Sequence, residues 1–391
     1  MTPRLLVLGA GPAQLGLLEA ARARGLWLAV VDRNPSAPGL RFADRRCILS
    51  IQDEPAIDRL VGALEIDGII APGTDWPIGV AARIAERAGL PHPVSPRSAA
   101  LVTNKLRQRE RLDELGIPQP HWHFVGAEDP APDVALPCVV KAPDSQGQRG
   151  LTLVRSEAEL EPALDAARQE SRGNLALVEE LVPGPEVTVV GFSVGGAFSA
   201  LAVTDRIVAE PPAFGVALAH VWPSEGADGA AEAAGRALAA LEIADGPSYT
   251  QLRIGPDGPQ VIEVAARLGG GHDAELVETA TGVPLNDLAV DAALGHALLP
   301  PTPSRLVGGA VTRFLVAPPG VLTGVEVPEG LEGVERVRIY REPGHVQGPL
   351  RRGSDRVGAV LVVGDSRDAA LERADRAAEA ITIGVEDAQV A

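Results

Sequence analysis

The sequence contains almost no lysine. Of its 35 basic residues only Lys105 and Lys141 are lysines, so arginine occupies nearly every position at which a generic surface cation would serve. Those two positions are therefore candidates for sites that need a compact ammonium group. The alternative is that an arginine-biased composition has left two lysines by chance.

Cysteine and long apolar runs are scarce as well. Cys47 and Cys138 lie far apart without CxxC or Cys/His spacing, which argues against a disulfide framework or a zinc site. The longest uncharged run, 187–203, is shorter than the roughly 20 residues of a membrane span and has Gly195-Gly196 at its middle, so it predicts a β-hairpin. A net charge of −17 argues against nucleic-acid and anionic membrane surfaces. We expect a cytoplasmic protein.

Alternating strand and helix patterns predict a doubly wound parallel α/β domain over residues 1–94. A dinucleotide site is only an alternative there, because Gly9 and Gly11 are followed by Gln14 where the GxGxxG fingerprint has its third glycine. Asp32 follows the second strand, at a position that suits either a ribose-binding acid or a simple turn residue.

Proline-rich segments predict two further boundaries. After 91–96 we expect a second domain over 95–303, beginning with one helix from Arg97 to Leu115 and containing a smaller, mobile lobe at about 136–204. The run 300–303 is a predicted linker. Residues 304–391 read as a small α+β domain without a concentrated site.

A polar loop with two glycines follows Lys141. In this loop, 142–150, backbone N–H groups and Arg149 can fold over phosphate oxygens, although the pattern is not a Walker A loop. The next candidate is 177–186, where apolar strand residues suit an adenine ring and Glu186 suits ribose hydroxyls. The alternatives are a plain hairpin connection and a solvated acidic pair.

A third candidate lies on two predicted strands joined by a tight turn. Gln251 and Glu263 face each other if these strands pair antiparallel, and their oxygens suit Mg²⁺. Arg267 follows, and it precedes the glycines 269–271. A guanidinium beside a bare backbone loop suits the stabilisation of an oxyanion.

The order of these motifs resembles the ATP-grasp superfamily, in particular its L-amino-acid ligase (dipeptide ligase) and carbamoyl-phosphate synthetase-like branch. The resemblance covers nearly the whole chain. It implies an α/β protein with the ATP-grasp fold, preceded by a Rossmann-like (pre-ATP-grasp) domain and followed by a small C-terminal α+β domain. One departure is Ala265, where the family usually has an asparagine that binds metal.

The resemblance also implies roles for individual residues. It assigns Gln251 and Glu263 to Mg²⁺ or Mn²⁺ and Arg267 to the transferred phosphoryl group, and it brings His220 and His272 near the substrates, with a buried structural histidine as the alternative for each. The residues implied in ATP binding are Lys105, Lys141, Ser145, Gln146, Gly147, Arg149, Gly150, Glu179, Glu180, Leu181, Val182 and Glu186.

The implied activity is an ADP-forming carboxylate–amine ligase that uses ATP and Mg²⁺ and acts on small molecules. One alternative is a carboxylating or carbamoyl-phosphate-like enzyme that activates bicarbonate or carbamate. Another is a nucleotide-binding protein with a degenerate catalytic site, motivated by Ala265. A homodimer is compatible with the resemblance.

Overall fold

The N-terminal region is a parallel sheet flanked by helices. In this computed structural model, which describes residues 2–387, the sheet has the strand order β3-β2-β1-β4. Its central strands β1 and β2 are apolar runs because helices cover both faces, whereas the edge strand β3 is largely exposed. The elements are β1 Arg4–Leu8, α1 Leu15–Ala23, β2 Trp27–Asp32, β3 Arg45–Ile48, α2 Glu54–Ala63, β4 Gly68–Ile70 and α3 Trp76–Ala88.

Asp32 stabilises the turn after β1. Its carboxylate accepts hydrogen bonds from the backbone N–H groups of Ala10 and Asn34, each at 2.9 Å. Gln14, in place of the third glycine, is buried and donates to Pro72 O at 2.6 Å. These contacts favour the turn interpretation of Asp32 over the dinucleotide alternative.

The prediction of one helix over 97–115 is wrong. Two helices form, α4 Pro96–Val102 and α5 Lys105–Glu114. Asn104 between them is extended, and its side chain accepts a hydrogen bond from Arg107 N at 3.2 Å, so it caps a new helix. The break places Lys105 in the first turn of α5.

A small antiparallel sheet follows, with the order β5-β8-β6-β7 and one helix packed on it. Its buried core includes Val140, Leu164 and Val178. Ser156 precedes the helix but makes no capping hydrogen bond through its side chain. The elements are β5 Trp122–Val125, β6 Cys138–Lys141, β7 Thr152–Val154, α6 Glu157–Glu170 and β8 Ala176–Glu180.

A large antiparallel sheet forms the centre of the molecule. Its first strands are an antiparallel hairpin around Gly195-Gly196, as predicted, and its helices pack between it and the neighbouring layers. The elements up to residue 315 are β9 Glu186–Val194, β10 Ala197–Val208, β11 Ala217–Trp222, α7 Ala230–Ala240, β12 Gly246–Gly255, β13 Gly258–Ala265, α8 Asp273–Thr281, α9 Leu285–Ala293 and β14 Gly309–Leu315.

The C-terminal region extends this sheet and adds a three-stranded one, β17-β15-β19. The large sheet has the order β13-β12-β9-β10-β11-β14-β18-β16, so it continues past the predicted boundary at 303. The remaining elements are β15 Gly320–Glu326, β16 Val334–Ile339, β17 Val346–Gln347, β18 Gly358–Gly364, α10 Arg367–Ala380 and β19 Thr382–Glu386.

The predicted domain boundaries stay predictions, but two strands lie elsewhere than we expected. The hairpin β9–β10, assigned above to the smaller lobe at 136–204, belongs to the large sheet, because β9 pairs with β12. The small sheet instead recruits β5, which lies before residue 136. Among residues 2–387 no helix combines the length and apolar character needed to cross a membrane.

Candidate active site

Two neighbouring cavities hold most of the predicted site residues. The first, of about 110 Å³, we call the nucleotide cavity after the ligand predicted for it. The second cavity, of about 420 Å³, lies beside it. The two share a wall that we call the common wall, formed by Gln146, Gly147, Gln148, Arg206, Gln251 and Glu263.

A buried ion triad forms the floor of the nucleotide cavity. The carboxylate of Glu179 lies 2.7 Å from Lys141 Nζ and 2.7 Å from Arg109 Nε. Arg109 also donates to the carbonyl groups of Val261 and Ile262 on β13, each at 2.8 Å. The triad therefore connects α5, β6, β8 and β13.

Burial and the neighbouring cations shift the pKa values in this triad. Burial disfavours the ammonium form and, with Arg109 and Lys105 nearby, outweighs the attraction of Glu179 and lowers the pKa of Lys141 to about 8. Burial alone would raise the pKa of Glu179, but Arg109 and Lys141 lower it below its usual range. Lys141 is thus a cation that loses its proton near pH 8.

Lys105 reaches the same cavity from the start of α5. Its Nζ lies 2.9 Å from Glu263 Oε1 and donates to Ser145 O at 2.8 Å. Burial acts against both charges, yet the attraction between them raises the pKa of Lys105 and lowers that of Glu263 to about 2. Both rare lysines therefore lie in the nucleotide cavity, where each pairs with an acid.

The phosphate loop predicted at 142–150 spans the space between the N- and C-terminal regions. Gln146 Oε1 accepts a hydrogen bond from Asp75 N at 2.6 Å, and Gln148 Oε1 accepts one from Gly353 N at 3.2 Å. Ser145 Oγ donates to Glu170 O, and Gly147 and Gly150 both have positive φ angles. Arg149 is exposed and forms no ion pair with residues 2–387.

The segment predicted to contact adenine leaves the small sheet at β8. Glu180 accepts a hydrogen bond from His121 N at 3.2 Å, and Leu181 N donates to Pro137 O at 3.4 Å. Val182 is buried. All three residues line the nucleotide cavity. Gly184 has a φ of +110°, and a Cβ there would lie 2.0 Å from Ile254 O, so only glycine fits this close approach.

Glu186, predicted to bind ribose, lines the nucleotide cavity and contacts two residues of the common wall. Its carboxylate accepts hydrogen bonds from Arg206 and from the amide of Gln251, and Arg253 lies 3.9 Å away. A ribose hydroxyl would have to share this acceptor with two existing donors.

Gln251 and Glu263 are direct cross-strand partners on β12 and β13, and both line the two cavities. Among residues 2–387 no group of three or more His, Cys, Asp or Glu residues could hold a metal ion. Ala265 is buried and supplies no ligand. One carboxylate and one amide oxygen therefore fit Mg²⁺ only as part of a site in which phosphate oxygens complete the coordination shell.

Arg267 lines the second cavity and is held by the N-terminal region. Its Nε donates to Asp75 Oδ1 at 2.6 Å, and its guanidinium lies 5.6 Å from the centre of the Tyr249 ring. Since Asp75 N also contacts Gln146, a continuous chain of hydrogen bonds connects the phosphate loop to Arg267. Asp75 was not predicted, although it follows β4 at the edge where parallel sheets bind ligands.

His220 also lines the second cavity, where it is paired with a buried acid. Its Nδ1 lies 2.8 Å from Asp273 Oδ1. Burial would raise the pKa of Asp273, but His220 and the N–H of Gly271 lower it to about 2. A Cβ on Gly271 would lie 2.5 Å from the His220 ring, and one on Gly269 would lie 2.1 Å from Asp273. These glycines therefore make room for the pair.

His272 lies outside the second cavity. Its ring is buried. Nε2 forms a hydrogen bond with the Tyr340 hydroxyl, and Nδ1 lies 3.3 Å from Glu275 Oε1. Glu275 also contacts Arg338, which donates to Glu19 on α1. This network joins α8 to both end regions and favours the structural alternative for His272.

Comparisons with known proteins agree with this architecture. The family model described as L-amino acid ligase C-terminal domain 2 matches residues 313–386. Formate-dependent phosphoribosylglycinamide formyltransferase from Burkholderia lata is 27% identical, over 97% of this chain and 95% of its own.

Two solved structures share the fold over nearly the whole chain. L-amino acid ligase from Bacillus licheniformis has a TM-score of 0.84 and 22% identity, covering 99% of each chain. The biotin carboxylase domain dimer of 2-oxoglutarate carboxylase from Hydrogenobacter thermophilus, in complex with MgADP, ADP and bicarbonate, has a TM-score of 0.80 and 19% identity, covering 98% of this chain and 91% of its own. The predicted ATP-grasp fold is thereby confirmed. The family-model match and the relatives in sequence agree with the resemblance to the ATP-grasp superfamily.

Proposed function

We propose that this chain is an ADP-forming carboxylate–amine ligase. The observation that carries the proposal is the common wall. A phosphate chain bound along Lys105, Lys141 and the phosphate loop would end at Gln251 and Glu263, which also line the second cavity. A substrate carboxylate in the second cavity would therefore meet the terminal phosphate at this wall.

The nucleotide cavity has the parts that ATP needs. Two ammonium groups and the N–H groups of a glycine-containing loop suit the phosphates, and an apolar wall that includes Val139, Leu181 and Ile262 suits the base. Glu263 and Gln251 would hold Mg²⁺ together with phosphate oxygens, and the ion would neutralise phosphate charge. Mn²⁺ is compatible with the same ligands.

The proposed reaction has two steps. A carboxylate oxygen of the first substrate attacks the γ-phosphorus of ATP, the bond to the β-phosphate oxygen breaks, and ADP leaves with that electron pair. An amine then attacks the acyl carbon, inorganic phosphate leaves and the nitrogen loses a proton, which gives an amide. Arg267 would stabilise charge on the transferred phosphoryl group, so positioning and electrostatics supply most of the catalysis.

The relatives support this reaction class. One sequence relative is named as a formate-dependent formyltransferase acting on phosphoribosylglycinamide, and one structural relative as an L-amino acid ligase. Both names combine an acid with an amine. The identity of the two substrates of this chain is left to the test.

The test measures ADP release with ATP and Mg²⁺ across a panel of paired carboxylates and amines. We expect ADP only when both partners are present. Arg267→Ala should lower kcat by about 10²–10³-fold, the usual effect of removing one donor to a developing anion. Its KM for ATP should change little, because Arg267 lines the second cavity and not the nucleotide cavity.

Arg97→Ala is the matched control, since Arg97 also forms an ion pair with an acid, Glu242, but on the surface outside both cavities. It should keep wild-type turnover. Two results would refute the proposal: ADP release that depends on neither the carboxylate nor the amine, or an Arg267→Ala enzyme as active as wild type. If the chain is instead a nucleotide-binding protein without catalytic activity, no pair of carboxylate and amine will cause ADP release.

Bicarbonate is the second candidate for the activated acid. The structural relative from Hydrogenobacter thermophilus was solved with bicarbonate and MgADP, and its fold matches 98% of this chain. In the same assay, ADP release that needs bicarbonate and no other carboxylate would favour this candidate.

A further inference from the structure

A third cavity, of about 260 Å³, borders the two cavities described above. Gln146 and Glu263 line all three cavities, so the third cavity also reaches the common wall. The proposed function gives this cavity no role, and no motif in the sequence pointed to its arginines at 33 and 172. Its lining also includes Arg33, Trp76, Lys105, Asp144, Arg149 and Arg172.

One side of the third cavity is an edge of the N-terminal parallel sheet. Residues 32–33 follow β2, residues 50–52 follow β3 and residues 74–76 follow β4. Open α/β sheets bind their ligands outside the carboxyl ends of the strands, and these three segments lie at that edge. The segments after β2 and β3 line neither the nucleotide cavity nor the second cavity. This part of the edge is therefore available for a ligand of its own.

Three arginines of the third cavity have no carboxylate partner. Arg33, Arg149 and Arg172 form no ion pair within residues 2–387. Arg149 Nε donates to Gln146 O at 3.2 Å, a contact that leaves the charge of the guanidinium group uncompensated. The cavity therefore offers three guanidinium groups to an anion.

The acids of the third cavity are already occupied by donors of the protein. Glu263 and Asp75 each pair with a cation, as described above. Asp32 and Asp144 instead accept hydrogen bonds from backbone N–H groups, and for Asp144 the donor is Arg172 N at 3.0 Å. These contacts satisfy the carboxylates without bringing any of them onto the three guanidinium groups.

Arg172 and Arg149 are close enough to repel each other. Burial and the charge of Arg149 lower the pKa of Arg172, although Asp144 acts in the opposite direction. The guanidinium group of Arg172 lies 3.4 Å from the centre of the Trp76 ring, and this contact orients it. An anion bound between the two arginines would relieve their repulsion.

The third cavity runs from the common wall to solvent. At its inner end the side chains of Lys105 and Glu263 are 14% and 26% exposed. At its other end Arg33, Gln52 and Arg172 are exposed residues. An anion that leaves the wall along this cavity would therefore pass from a paired lysine to arginines without acidic partners.

We propose that the third cavity binds the inorganic phosphate product and releases it to solvent. This inference rests on the proposed function, in which phosphate forms at the common wall while ADP fills the nucleotide cavity and the amide fills the second cavity. The third cavity reaches the same wall and is open at that moment. The planar donor fork of arginine fits the oxygens of phosphate.

The test is equilibrium binding of inorganic phosphate to the full chain saturated with MgADP, so that phosphate cannot enter the nucleotide cavity. Calorimetric titration at constant ionic strength measures the dissociation constant. We expect saturable binding that Arg33→Gln and Arg172→Gln each weaken by about tenfold, as expected for the loss of one charged hydrogen bond. Arg149 is left unchanged in this test because it also lines the nucleotide cavity.

Two further variants serve as controls. Arg59→Gln is the matched one, because Arg59 is an exposed arginine of the same N-terminal region that lines none of the three cavities. Arg356→Gln locates the anion, because Arg356 lines the second cavity and not the third. Neither control should change the dissociation constant of phosphate.

Melting temperatures verify that the variants fold. If Arg172→Gln does not fold, because it loses the contact with Trp76, Arg33→Gln decides. The inference is overturned if phosphate does not bind, if neither folded variant weakens binding, or if Arg59→Gln weakens binding equally. An effect of Arg356→Gln alone would place the phosphate in the second cavity and would overturn the inference too.

Failure of the proposed function would look different. Phosphate binding that depends on Arg33 and Arg172, without ADP release for any substrate pair, would reject the ligase and retain the anion site. If the ligase is active, added phosphate should inhibit it as a product, and Arg33→Gln should raise the inhibition constant about tenfold. ADP release with an unchanged inhibition constant in that variant would retain the ligase and reject the phosphate site.

Discussion

The two cavities balance their cations in opposite ways. In the nucleotide cavity each lysine already has an acid, since Lys141 contacts Glu179 and Lys105 contacts Glu263. In the second cavity Arg341 and Arg356 contact only carbonyl oxygens and an aromatic ring. The first arrangement neutralises its charges before a ligand binds, and the second does not.

This difference has a consequence for binding. A phosphate that enters the nucleotide cavity must compete with the carboxylates that already contact the lysines. The net binding free energy from each new ion pair is therefore small. The same carboxylates stabilise the site when it is empty. An anion entering the second cavity meets cations without competitors. The nucleotide cavity thus depends on its internal acids for folding, whereas the second cavity should depend on its ligand.

The largest effect that we predict comes from removing the acid of the triad. Glu179→Gln leaves Lys141 and Arg109 buried side by side without a counter-ion, so the free energy of unfolding should fall by about 3–5 kcal/mol. Urea unfolding followed by circular dichroism measures this loss.

Glu180→Gln is the natural control for that variant. Glu180 is the next residue, but its carboxylate accepts a hydrogen bond from the backbone of His121 and forms no ion pair with residues 2–387. Its loss should cost about 1 kcal/mol. Equal destabilisation by the two variants would contradict the idea that the nucleotide cavity depends on internal ion pairing.

A smaller effect concerns pH. The pKa of Lys141 is lowered to about 8, so the ammonium group is charged at pH 7 and is lost as the pH rises through 8. Bound phosphate favours the protonated lysine. The dissociation constant for ADP should therefore increase above pH 8, approaching tenfold per pH unit. Calorimetric titrations between pH 6.5 and 9.5 would show this slope.

Lys141→Arg separates the lysine from other titrating groups. Arginine keeps its charge throughout this pH range, so the variant should bind ADP with little dependence on pH, even if its larger side chain weakens binding overall. If the ADP dissociation constant rises equally steeply with pH in wild type and in Lys141→Arg, another group causes the pH dependence.

The parts of the fold that could be predicted are those with strong local patterns. Buried parallel strands such as Leu5–Leu8 are continuous apolar runs that end at glycine, which is why the N-terminal alternation was predicted. The strand β3, Arg45–Ile48, was missed because three of its four residues are exposed and two are arginines. The break at Asn104 was missed because the residues that follow it, 105–114, are mostly good helix formers and hide the new helix start.

Apart from the two rare lysines, the site was predicted mainly from short segments of the sequence. Gln251, Glu263 and Arg267 form one such block. Their partners come from distant segments: Asp75 pairs with Arg267 across 192 positions, and Arg109 with Glu179 across 70. Arg341 and Arg356 have no motif, because what distinguishes them is the lack of a nearby acid in the folded chain.

The smallest predicted effect would test the common wall itself. Gln251→Glu removes the amide that donates to Glu186 and adds a negative charge beside Glu186 and Glu263. Without metal, this variant should lose about 1 kcal/mol of stability. Adding Mg²⁺ without nucleotide should raise its melting temperature more than that of wild type, because two facing carboxylates suit a hard cation better than one carboxylate and an amide.

Gln169→Glu, the same change on the exposed surface of α6, should respond to Mg²⁺ as wild type does. If all three proteins respond equally, Gln251 and Glu263 do not face a shared metal position, and the metal assignment fails. If Mg²⁺ raises the melting temperature of Gln251→Glu alone, the amide at residue 251 limits metal binding, although Ala265 is unchanged in that variant. The wall between the cavities would then hold Mg²⁺ only together with phosphate, so the ion would arrive with the nucleotide.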